Sequence, residues 1–390
     1  MKKRVLILGP IGDVGGRDVE VNIIARSLAE NYDVRIFSTG YITENSFAIT
    51  GLKDVSFSSL QRELFSKSLV MRVFGFLKYL SAGKKEKAYS YIKNRFSRAI
   101  FNFRNQELVV LKSEIERADV VIACVQLTTT YLTETAEFAK EKNIPLIVRT
   151  TGTIREIAPK YFGFLKKITH FIHHSQANAE NLNRQIALPY SVIDQCALSE
   201  ESLLEIPVAS GSTVTFGFIG RFSHEKGVLP MAEYFTKHPE LQLLIAGDGP
   251  QKPELLSMIA GHQNITFIGH LQSSEIHSFF EKIDCLVIPS REESGPLVGL
   301  EAMAAGKLIA STNVGAMAGR LLHTGNDFWF DIDDIDSLGR CIGEILSLSP
   351  PAWTQISSAV RSKYLSEYTG ESIRNQYLDL LKTFVDESRH

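Results

Sequence analysis

Short runs of aliphatic and β-branched residues alternate along the whole chain with segments whose apolar residues recur at helical spacing. This alternation is typical of parallel sheets covered by helices on both faces. The predicted strands are Arg4–Leu8, Val34–Phe37, Val120–Cys124, Leu146–Val148 and Phe171–His173 in the first half, and Val214–Ile219, Leu241–Ala246, Ile265–Phe267, Cys285–Ile288, Leu308–Ala310 and Phe328–Phe330 in the second. We therefore predict an α/β protein with two doubly wound parallel-sheet domains.

The chain has 390 residues, which at roughly 150 residues per domain corresponds to two domains. Ser, Gly and Pro interrupt the alternation near Leu198–Ser212, just before a new strand. The predicted domains are therefore residues 1–205 and 206–369. Residues 370–390 are predicted to form an amphipathic helix that packs on one of the domains, because apolar residues recur there at helical spacing: Ile373, Tyr377, Leu380, Leu381 and Phe384.

Composition excludes several classes of protein. Apolar residues make up 44% of the chain and charged residues 22%, which argues against a disordered or fibrous chain. The longest apolar run, Val120 to Val125, is far shorter than the roughly 18 residues of a membrane-spanning helix. The apolar run at Val5–Leu8 is too short for a signal peptide. The four cysteines lack the spacing of a disulfide framework or a metal site, so we expect a cytoplasmic location.

The first predicted strand leads into a glycine-rich loop, Gly9–Gly16, which lets a ligand approach the backbone at a helix N-terminus. A nicotinamide site requires Gly-x-Gly-x-x-Gly here and an acid at the end of the second strand. That strand instead ends in Phe37-Ser38-Thr39-Gly40. A dehydrogenase is therefore a poor alternative, whereas a tight turn needed only for topology stays open.

The first strand of the second half ends in Gly217–Gly227, which contains Arg221 and Lys226. A guanidinium and an ammonium group near exposed helical N–H groups provide the positive charge and the donors that a diphosphate needs. The alternative is a solvated pair of cations. Because a helix N-terminus favours anions, two cations there indicate an anionic partner.

The most specific segment is Glu293–Gly306, in which seven residues separate two carboxylates, Glu293 and Glu301. The first lies in a Gly-Pro loop and the second on the predicted helix that follows. Backbone N–H groups of the loop and helix start are expected to face an anion, and the two glutamates can accept hydrogen bonds from hydroxyl groups. The alternative is an ordinary acidic loop before a helix. The N–H groups concerned belong to Gly295, Leu297 and Val298.

These segments together resemble the retaining glycosyltransferases of family 4, the glycogen-synthase-like group 1 enzymes. The resemblance covers essentially the whole chain and is closest over Val214 to Asp331. It implies the GT-B architecture, in which two Rossmann-like domains face each other across a cleft. The first is expected to bind the acceptor and the second the nucleotide sugar.

The resemblance also implies roles for individual residues. Arg221 and Lys226 hold the diphosphate and, with Glu293, form the predicted catalytic group. Glu301 accepts hydrogen bonds from the ribose hydroxyls, and Glu293 contacts the sugar hydroxyls. The remaining predicted donor-site residues are Gly15 and Gly16 (the N-terminal glycine pair), Gly220, His270 and Leu271 (the turn at the nucleobase), Ser294, Gly295, Pro296, Leu297 and Val298.

The chain departs from the family pattern after the strand that ends at Val148. Thr151 stands where the family commonly has a histidine that reaches the donor sugar, and a hydroxyl cannot carry charge. Asp194–Ala197 likewise replaces the usual Asn-Gly before the linker. On the acceptor side we place Thr151 and His174; His173 and His174 are either cleft residues or the polar end of a strand.

Departure of a nucleoside diphosphate places negative charge on the leaving group, which Arg221, Lys226 and helix N-termini can stabilise without a metal. We therefore expect no cofactor besides the nucleotide-sugar co-substrate and no bound metal. Asp331-Ile332-Asp333 resembles a metal-binding Asp-x-Asp, but its carboxylates precede a predicted helix and are expected to cap it.

Basic charge is concentrated between Ser66 and Asn105, where ten Lys and Arg residues face one acid, Glu86. The segment carries a net charge of +9, so the rest of the chain carries −11. Its interleaved aromatic residues suit an anionic membrane surface carrying a lipid-linked acceptor. Nucleic acid is a weaker alternative partner, which we do not expect, and a solvated pair of helices remains open.

The predicted function is transfer of a sugar, with retention, from a nucleotide sugar to a glycan or lipid-linked acceptor in cell-surface polysaccharide or lipopolysaccharide assembly. The enzyme is expected in the cytoplasm or peripherally on the inner membrane face. The alternative is a nucleotide-sugar-binding partner protein without transfer activity, which the threonine at position 151 favours.

Overall fold

The computed structural model describes residues 2–82, 86–93, 102–208 and 214–386. It forms two compact units: residues up to His173, Ala179–Ile193 and the chain from Arg374 onward make the first, and His174–Asn178 and Asp194–Ile373 make the second. The chain thus enters the second unit's main segment at Asp194, twelve residues before the predicted boundary at 205/206. The terminal helix belongs mainly to the first unit.

The first unit contains a sheet of seven parallel strands in the order β3-β2-β1-β4-β5-β6-β7. Aliphatic side chains on both faces of its central strands are buried, as the sequence pattern predicts. The strands are β1 (Arg4–Gly9), β2 (Asp33–Ser38), β3 (Ser56–Ser59), β4 (Val120–Val125), β5 (Leu146–Thr150), β6 (His170–His173) and β7 (Tyr190–Val192).

Two strands of this sheet, β3 and β7, have no counterpart among the predicted strands. Both lie at an edge of the sheet, where one side of the strand has no neighbouring strand. Their short sequences, Ser-Phe-Ser-Ser and Tyr-Ser-Val, lack the run of aliphatic residues by which we recognised the buried strands.

The second unit contains five parallel strands in the order β10-β9-β8-β11-β12. The predicted strand Phe328–Phe330 is wrong as a full strand, because only an isolated parallel bridge joins Trp329 to Ser311. The segment turns there, with Trp329 N–H donating to the Asp327 carbonyl. The strands are β8 (Thr215–Arg221), β9 (Gln242–Asp248), β10 (Ile265–Phe267), β11 (Cys285–Ile288) and β12 (Leu308–Ser311).

Helices connect the strands on both faces of each sheet. Those of the first half are α1 (Gly16–Leu28), α2 (Leu60–Lys67), α3 (Leu69–Ser81), α4 (Phe103–Ile115), α5 (Leu132–Glu141), α6 (Phe162–Leu165) and α7 (Gln176–Asn183). Those that follow are α8 (Glu200–Glu205), α9 (Val228–Thr236), α10 (Lys252–Ile259), α11 (Ile276–Glu281), α12 (Leu297–Ala304), α13 (Met317–Leu321), α14 (Ile335–Leu346), α15 (Pro350–Glu367) and α16 (Gly370–Asp386). Over the described ranges, no helix has the length and apolar character needed to cross a membrane.

Several parts of the predicted basic segment and linker lie outside the described residues: Lys84, Lys85, Arg95, Phe96, Arg98, Phe101 and residues 209–213. The four cysteines are all buried with free thiols. The strand order reverses between β1 and β4 in the first unit and between β8 and β11 in the second. In open parallel sheets, ligands bind beyond the carboxyl ends of the strands at such a reversal.

Candidate active site

The candidate residues of the second unit lie at the carboxyl ends of its strands, on both sides of the reversal. The loop after β8 carries Arg221 and Lys226, and the loop after β11 carries Glu293. Because β8 and β11 are neighbours in the sheet, segments about seventy residues apart in sequence meet at one edge.

The backbone at the end of β8 lies very close to that of β9. Gly220 is paired with Gly247, and a Cβ atom at Gly247 would lie 1.9 Å from the Gly220 carbonyl oxygen. Glycine is therefore required at position 247, whose φ is 138°. Arg221 follows as the last residue of β8 and is exposed, and its guanidinium makes no hydrogen bond or ion pair with any described residue. Its guanidinium donors are thus available to a ligand.

Lys226 and Glu293 form an ion pair that joins the two loops. The 3₁₀ turn His224–Lys226 ends at Gly227, whose φ of 66° and close approach to the Pro289 carbonyl exclude any side chain there. Ser290 also donates to Glu293 Oε1 at 3.2 Å. The structure therefore brings together two of the three predicted catalytic residues and anchors them on backbone that meets at the reversal.

Helix α12 begins at Leu297 and Val298 with N–H groups that no side chain caps. No acidic residue lies in its first turn, so nothing in the helix neutralises the positive end of its dipole. Both residues are half-buried. The helix start therefore has the polarity and free donors that an anion needs.

A buried arginine that sequence reasoning missed positions this helix start. Arg320 Nη1 donates to the Pro296 carbonyl at 2.5 Å, directly before α12. Its Nε and Nη2 donate to both carboxylate oxygens of Asp194, at 2.8 and 2.6 Å, and both side chains are buried. Asp194 lies in the stretch that departs from the family pattern, but only contact in space reveals its partner, which lies 126 residues away.

The loop between Glu293 and α12 is packed against neighbouring backbone. A Cβ atom at Gly315, where φ is 55°, would lie 2.5 Å from the Ser294 carbonyl oxygen. A Cβ at Gly295 would lie 3.1 Å from Arg320 Nη2 and 3.3 Å from His174 Cβ. His174, predicted on the acceptor side of the first domain, thus lies in the second unit beside the Glu293 loop.

Glu301 is the fifth residue of α12 and is only 2% exposed. Its carboxylate makes no hydrogen bond or ion pair with any residue in the described part of the chain, and burial raises its pKa to about 7. A buried carboxylate is normally paired or hydrogen-bonded. An unmatched one in the helix that follows the Glu293 loop is chemically suited to accept hydrogen bonds from a ligand's hydroxyl groups.

The predicted nucleobase turn follows β10. Gly269 has a φ of 88°, and its carbonyl accepts a 2.8 Å hydrogen bond from Gly247 N–H, which ties the turn to the end of β9. His270 is exposed and Leu271 is half-buried against the apolar core. The turn therefore lies at the same carboxyl-end edge of the sheet as Arg221, which pairs with Asp248 at the end of β9.

In the first unit, Gly15 and Gly16 are exposed at the start of α1. Two carboxylates of this region accept backbone hydrogen bonds: Asp18 accepts from Gly12 N–H at 2.7 Å, and Asp13 accepts from Thr43 N–H at the same distance. Burial raises the pKa of Asp18. Strand β2 ends in Ser38, whose hydroxyl donates to a backbone carbonyl, so no acid stands where a dehydrogenase needs one.

Thr151 lies just beyond the carboxyl end of β5, beside a cation that sequence reasoning also missed. Arg17 donates from Nη2 to Thr151 Oγ1 at 3.5 Å and from Nη1 to the Pro10 carbonyl at 3.2 Å. This edge therefore carries positive charge that the threonine itself lacks. His173 is fully buried, its Nδ1 lies 2.9 Å from Thr150 Oγ1, and burial lowers its pKa to about 4.

The predicted helix cap at Asp331 and Asp333 is wrong in detail. Asp331 accepts from Asp333 N–H at 2.9 Å within the turn, and Asp333 pairs with Arg291 at 2.8 Å. The residue at the start of α14, Asp334, makes no side-chain cap. Within the described ranges, no three His, Cys, Asp or Glu residues lie together in a group that could hold a metal ion.

Comparison with known proteins shows two kinds of similarity. Residues 201–362, which lie within the second unit, match the family model described as glycosyl transferases group 1. Glycogen synthase of Mycobacterium tuberculosis is 27% identical over 163 residues, or 40% of this chain and 39% of that protein. Lipopolysaccharide 1,2-N-acetylglucosaminetransferase of Salmonella typhimurium is 24% identical over 201 residues, or 47% of this chain and 51% of that protein.

The chain thus spans about two fifths to one half of the length of these curated relatives. Structural similarity extends further: the crystal structure of Anabaena Alr3699/HepE in complex with UDP and glucose has a TM-score of 0.68 at 16% identity. That alignment covers 98% of this chain and 100% of the other. It confirms the predicted fold class, a GT-B fold built from two Rossmann-like units.

Proposed function

We propose that the protein is a metal-independent retaining glycosyltransferase of family 4. In this proposal it transfers a hexose from a nucleoside-diphosphate sugar to a glycan or lipid-linked acceptor. The observation that carries the proposal is the buried, unmatched Glu301 carboxylate on a helix whose start is uncapped. The group 1 match over residues 201–362 supports the reaction class. The UDP and glucose in the complex with Alr3699/HepE support the class of donor.

The diphosphate is proposed to bind at the start of α12, where the N–H groups of Leu297 and Val298 donate to its oxygens. Arg221 offers a fork-shaped set of donors, and Lys226 adds a point charge. Glu301 in its ionised form accepts hydrogen bonds from the two ribose hydroxyls. These bonds replace the hydration that the carboxylate lost on folding, so ligand binding lowers its pKa from about 7.

Glycosyl transfer is helped most by stabilising the leaving group. As the bond between the anomeric carbon and the diphosphate breaks, positive charge develops on the sugar and negative charge on the phosphate oxygens. Fixed cations and helix N–H groups stabilise the second charge without reorganisation. Glu293 holds Lys226 in place through the observed ion pair and is proposed to accept hydrogen bonds from the donor sugar.

The acceptor is proposed to bind the first unit, at the strand edge that carries Thr151 and Arg17. The similarity to the Salmonella lipopolysaccharide enzyme supports an acceptor of the surface-glycan class. The proposed location is the cytoplasmic face of the inner membrane. A second candidate function, favoured by Thr151, is a nucleotide-sugar-binding partner protein that performs no transfer.

Calorimetric titration with UDP, GDP, ADP and NAD in the presence of EDTA tests the donor site. We expect binding of one nucleoside diphosphate, weakened at least tenfold by Lys226→Met and by Glu301→Gln. Lys237→Met is the matched control, because Lys237 pairs with Glu233 on the exposed surface of α9. The nucleotide affinity of this control variant is expected to equal that of the wild type.

Unchanged affinity in both site variants, or binding of NAD alone, contradicts the proposal. Turnover separates the two candidate functions. The corresponding nucleotide sugar is incubated with the protein, and released nucleoside diphosphate is measured with and without acceptor glycans. Binding without any release favours the partner protein.

A further inference from the structure

Helix α3 exposes an unusually apolar surface. Six of its thirteen residues are large hydrophobic side chains with between 47% and 74% of their surface exposed. The whole described chain has fourteen exposed large hydrophobic residues, so nearly half of them lie on this one helix. Singly exposed apolar residues are normal, whereas a contiguous group marks an interaction site. The six are Leu69, Val70, Val73, Phe76, Leu77 and Leu80.

These six residues share one face. At about 100° per residue, they fall within an arc of about 120° on the helical wheel. Arg72 lies just beyond one edge of the arc and Lys78 beyond the other, and both are exposed. The helix therefore presents an apolar stripe with a cation on each side, the distribution of helices that lie in the interface of an anionic membrane.

Packing on the opposite side fixes which face points outward. Met71 and Gly75 are the buried residues of α3. A Cβ atom at Gly75 would lie 3.0 Å from the Ala88 carbonyl oxygen and 3.2 Å from the Phe65 ring, so the helix rests closely on its neighbours there. The apolar stripe is thus the side of α3 that faces away from the packing contacts of Gly75 with the described residues.

The charges around the stripe favour an anionic occupant. No acidic residue occurs between Ser66 and Lys85. Among the described residues, Lys67 and Lys78 form no ion pair, and Arg72 donates only to backbone carbonyls, including that of Phe65 at 3.0 Å. By contrast, Lys87 and Lys93, farther along the basic segment, are paired with glutamates.

We propose that α3 docks the protein on the surface of an anionic lipid bilayer. The helix is about 20 Å long, shorter than the roughly 30 Å hydrocarbon layer, so it lies in the plane of the membrane rather than across it. The stripe enters the boundary between head groups and acyl chains, and Lys67, Arg72 and Lys78 contact lipid phosphates. A second copy of the chain fits less well, because two such faces bring like charges together.

Sedimentation with vesicles tests this inference on the full chain. We expect binding to vesicles of 30% phosphatidylglycerol in phosphatidylcholine and at least tenfold weaker binding to phosphatidylcholine alone. Phe76→Ser/Leu77→Ser and Lys67→Gln/Lys78→Gln are each expected to weaken binding at least tenfold. Leu346→Ser/Leu365→Ser, which changes two exposed leucines of the second unit, is expected to bind as the wild type does.

Three results would overturn the inference: no binding to the anionic vesicles, binding that neither α3 variant weakens, or a dimer that the Phe76→Ser/Leu77→Ser variant dissociates, measured by light scattering. Nucleoside diphosphate affinity is measured in the same variants and is expected to be unchanged, because α3 lies outside the donor site. Lipid binding and nucleotide binding are thus measured separately: absence of lipid binding in a protein that binds the nucleotide contradicts this inference alone, and absence of nucleotide binding in a protein that binds lipid contradicts the proposed transferase function alone.

Discussion

Each of the two units has a buried glutamate at the same position along a helix. Glu20 is the fifth residue of α1, and Glu301 is the fifth residue of α12. Each helix follows a strand next to the point where its sheet reverses order. Their exposures are 1% and 2%. The same position on the same kind of helix is thus used for a buried carboxylate twice.

The two carboxylates differ in their partners. Glu20 accepts a hydrogen bond from Arg149 Nε at 2.8 Å and from the Tyr377 hydroxyl at 3.2 Å. Arg149 in turn donates to the carbonyl of Ile193, the residue before the main segment of the second unit. Glu301 has no such partner in the described residues. The matched pair holds the terminal helix and β5 on α1, whereas the unmatched carboxylate is suited to a ligand.

The largest expected effect concerns Glu20, the buried glutamate that has a cationic partner. Arg149→Met leaves the Glu20 carboxylate buried without its cation, and we expect a loss of about 3–5 kcal/mol in the free energy of unfolding. Urea denaturation measures it. Arg340→Met removes an exposed ion pair and is the control, with an expected loss of at most about 1 kcal/mol. A loss at position 149 no larger than that of the control means that Glu20 does not depend on Arg149.

The second prediction concerns the titration of Glu301, the buried glutamate without a partner among the described residues. The pKa of Glu301 is raised from 4.5 to about 7, so the folded protein retains a proton there that the unfolded chain has released. The free energy of unfolding therefore falls as pH rises from 4.5 to about 7, by up to about 3 kcal/mol from this group. Glu301→Gln removes this dependence.

Urea denaturation at pH 4.5 and pH 8 gives the difference between variant and wild type at each pH. We expect the variant to gain stability relative to the wild type by up to about 3 kcal/mol between the two. His173, whose pKa of about 4 causes an opposite dependence, is present in both proteins and cancels. A difference that stays constant with pH shows that Glu301 is ionised and satisfied in the folded chain.

The smallest expected effect comes from giving α12 an acidic residue in its first turn, as α1 has. Helix α1 has Asp18 in its first turn, and α12 has no acid there. Leu297→Asp gives α12 an anion of its own and is expected to weaken nucleoside diphosphate binding about tenfold, or about 1.4 kcal/mol. Leu297→Asn, nearly the same size but neutral, is the control. Equal affinities in the two variants remove the start of α12 from the proposed diphosphate site.

Much of the fold could be predicted because strands that are buried on both faces of a sheet consist of continuous aliphatic runs. Central strands such as β1 and β4 are continuous aliphatic runs, whereas the edge strand β3 is rich in serine and was missed. The segment Phe328–Phe330 is apolar for a different reason, because its phenylalanines pack in the core while its backbone turns. Apolar patterning reports burial, and it distinguishes a strand from a buried turn only when the run is long.

The candidate site residues could be predicted where a charged side chain lies in a loop or helix that directly follows a recognisable strand. Arg221, Lys226, Glu293 and Glu301 lie on loops and a helix that the strand pattern places at one edge of a parallel sheet. The supporting residues were not predictable, because Arg320 contacts Asp194 across 126 residues and Arg149 contacts Glu20 across 129. His174 likewise lies in the second unit, although the strand before it belongs to the first.

The sequence by itself determined the two parallel sheets and the positions of the loops at their carboxyl ends, because both follow from the periodicity of apolar residues and the direction of parallel strands. Only the tertiary structure decided which buried charges have partners and which face of α3 remains exposed. Electrostatic pairing and burial depend on distances in space between segments far apart in the chain, and a one-dimensional pattern does not contain those distances.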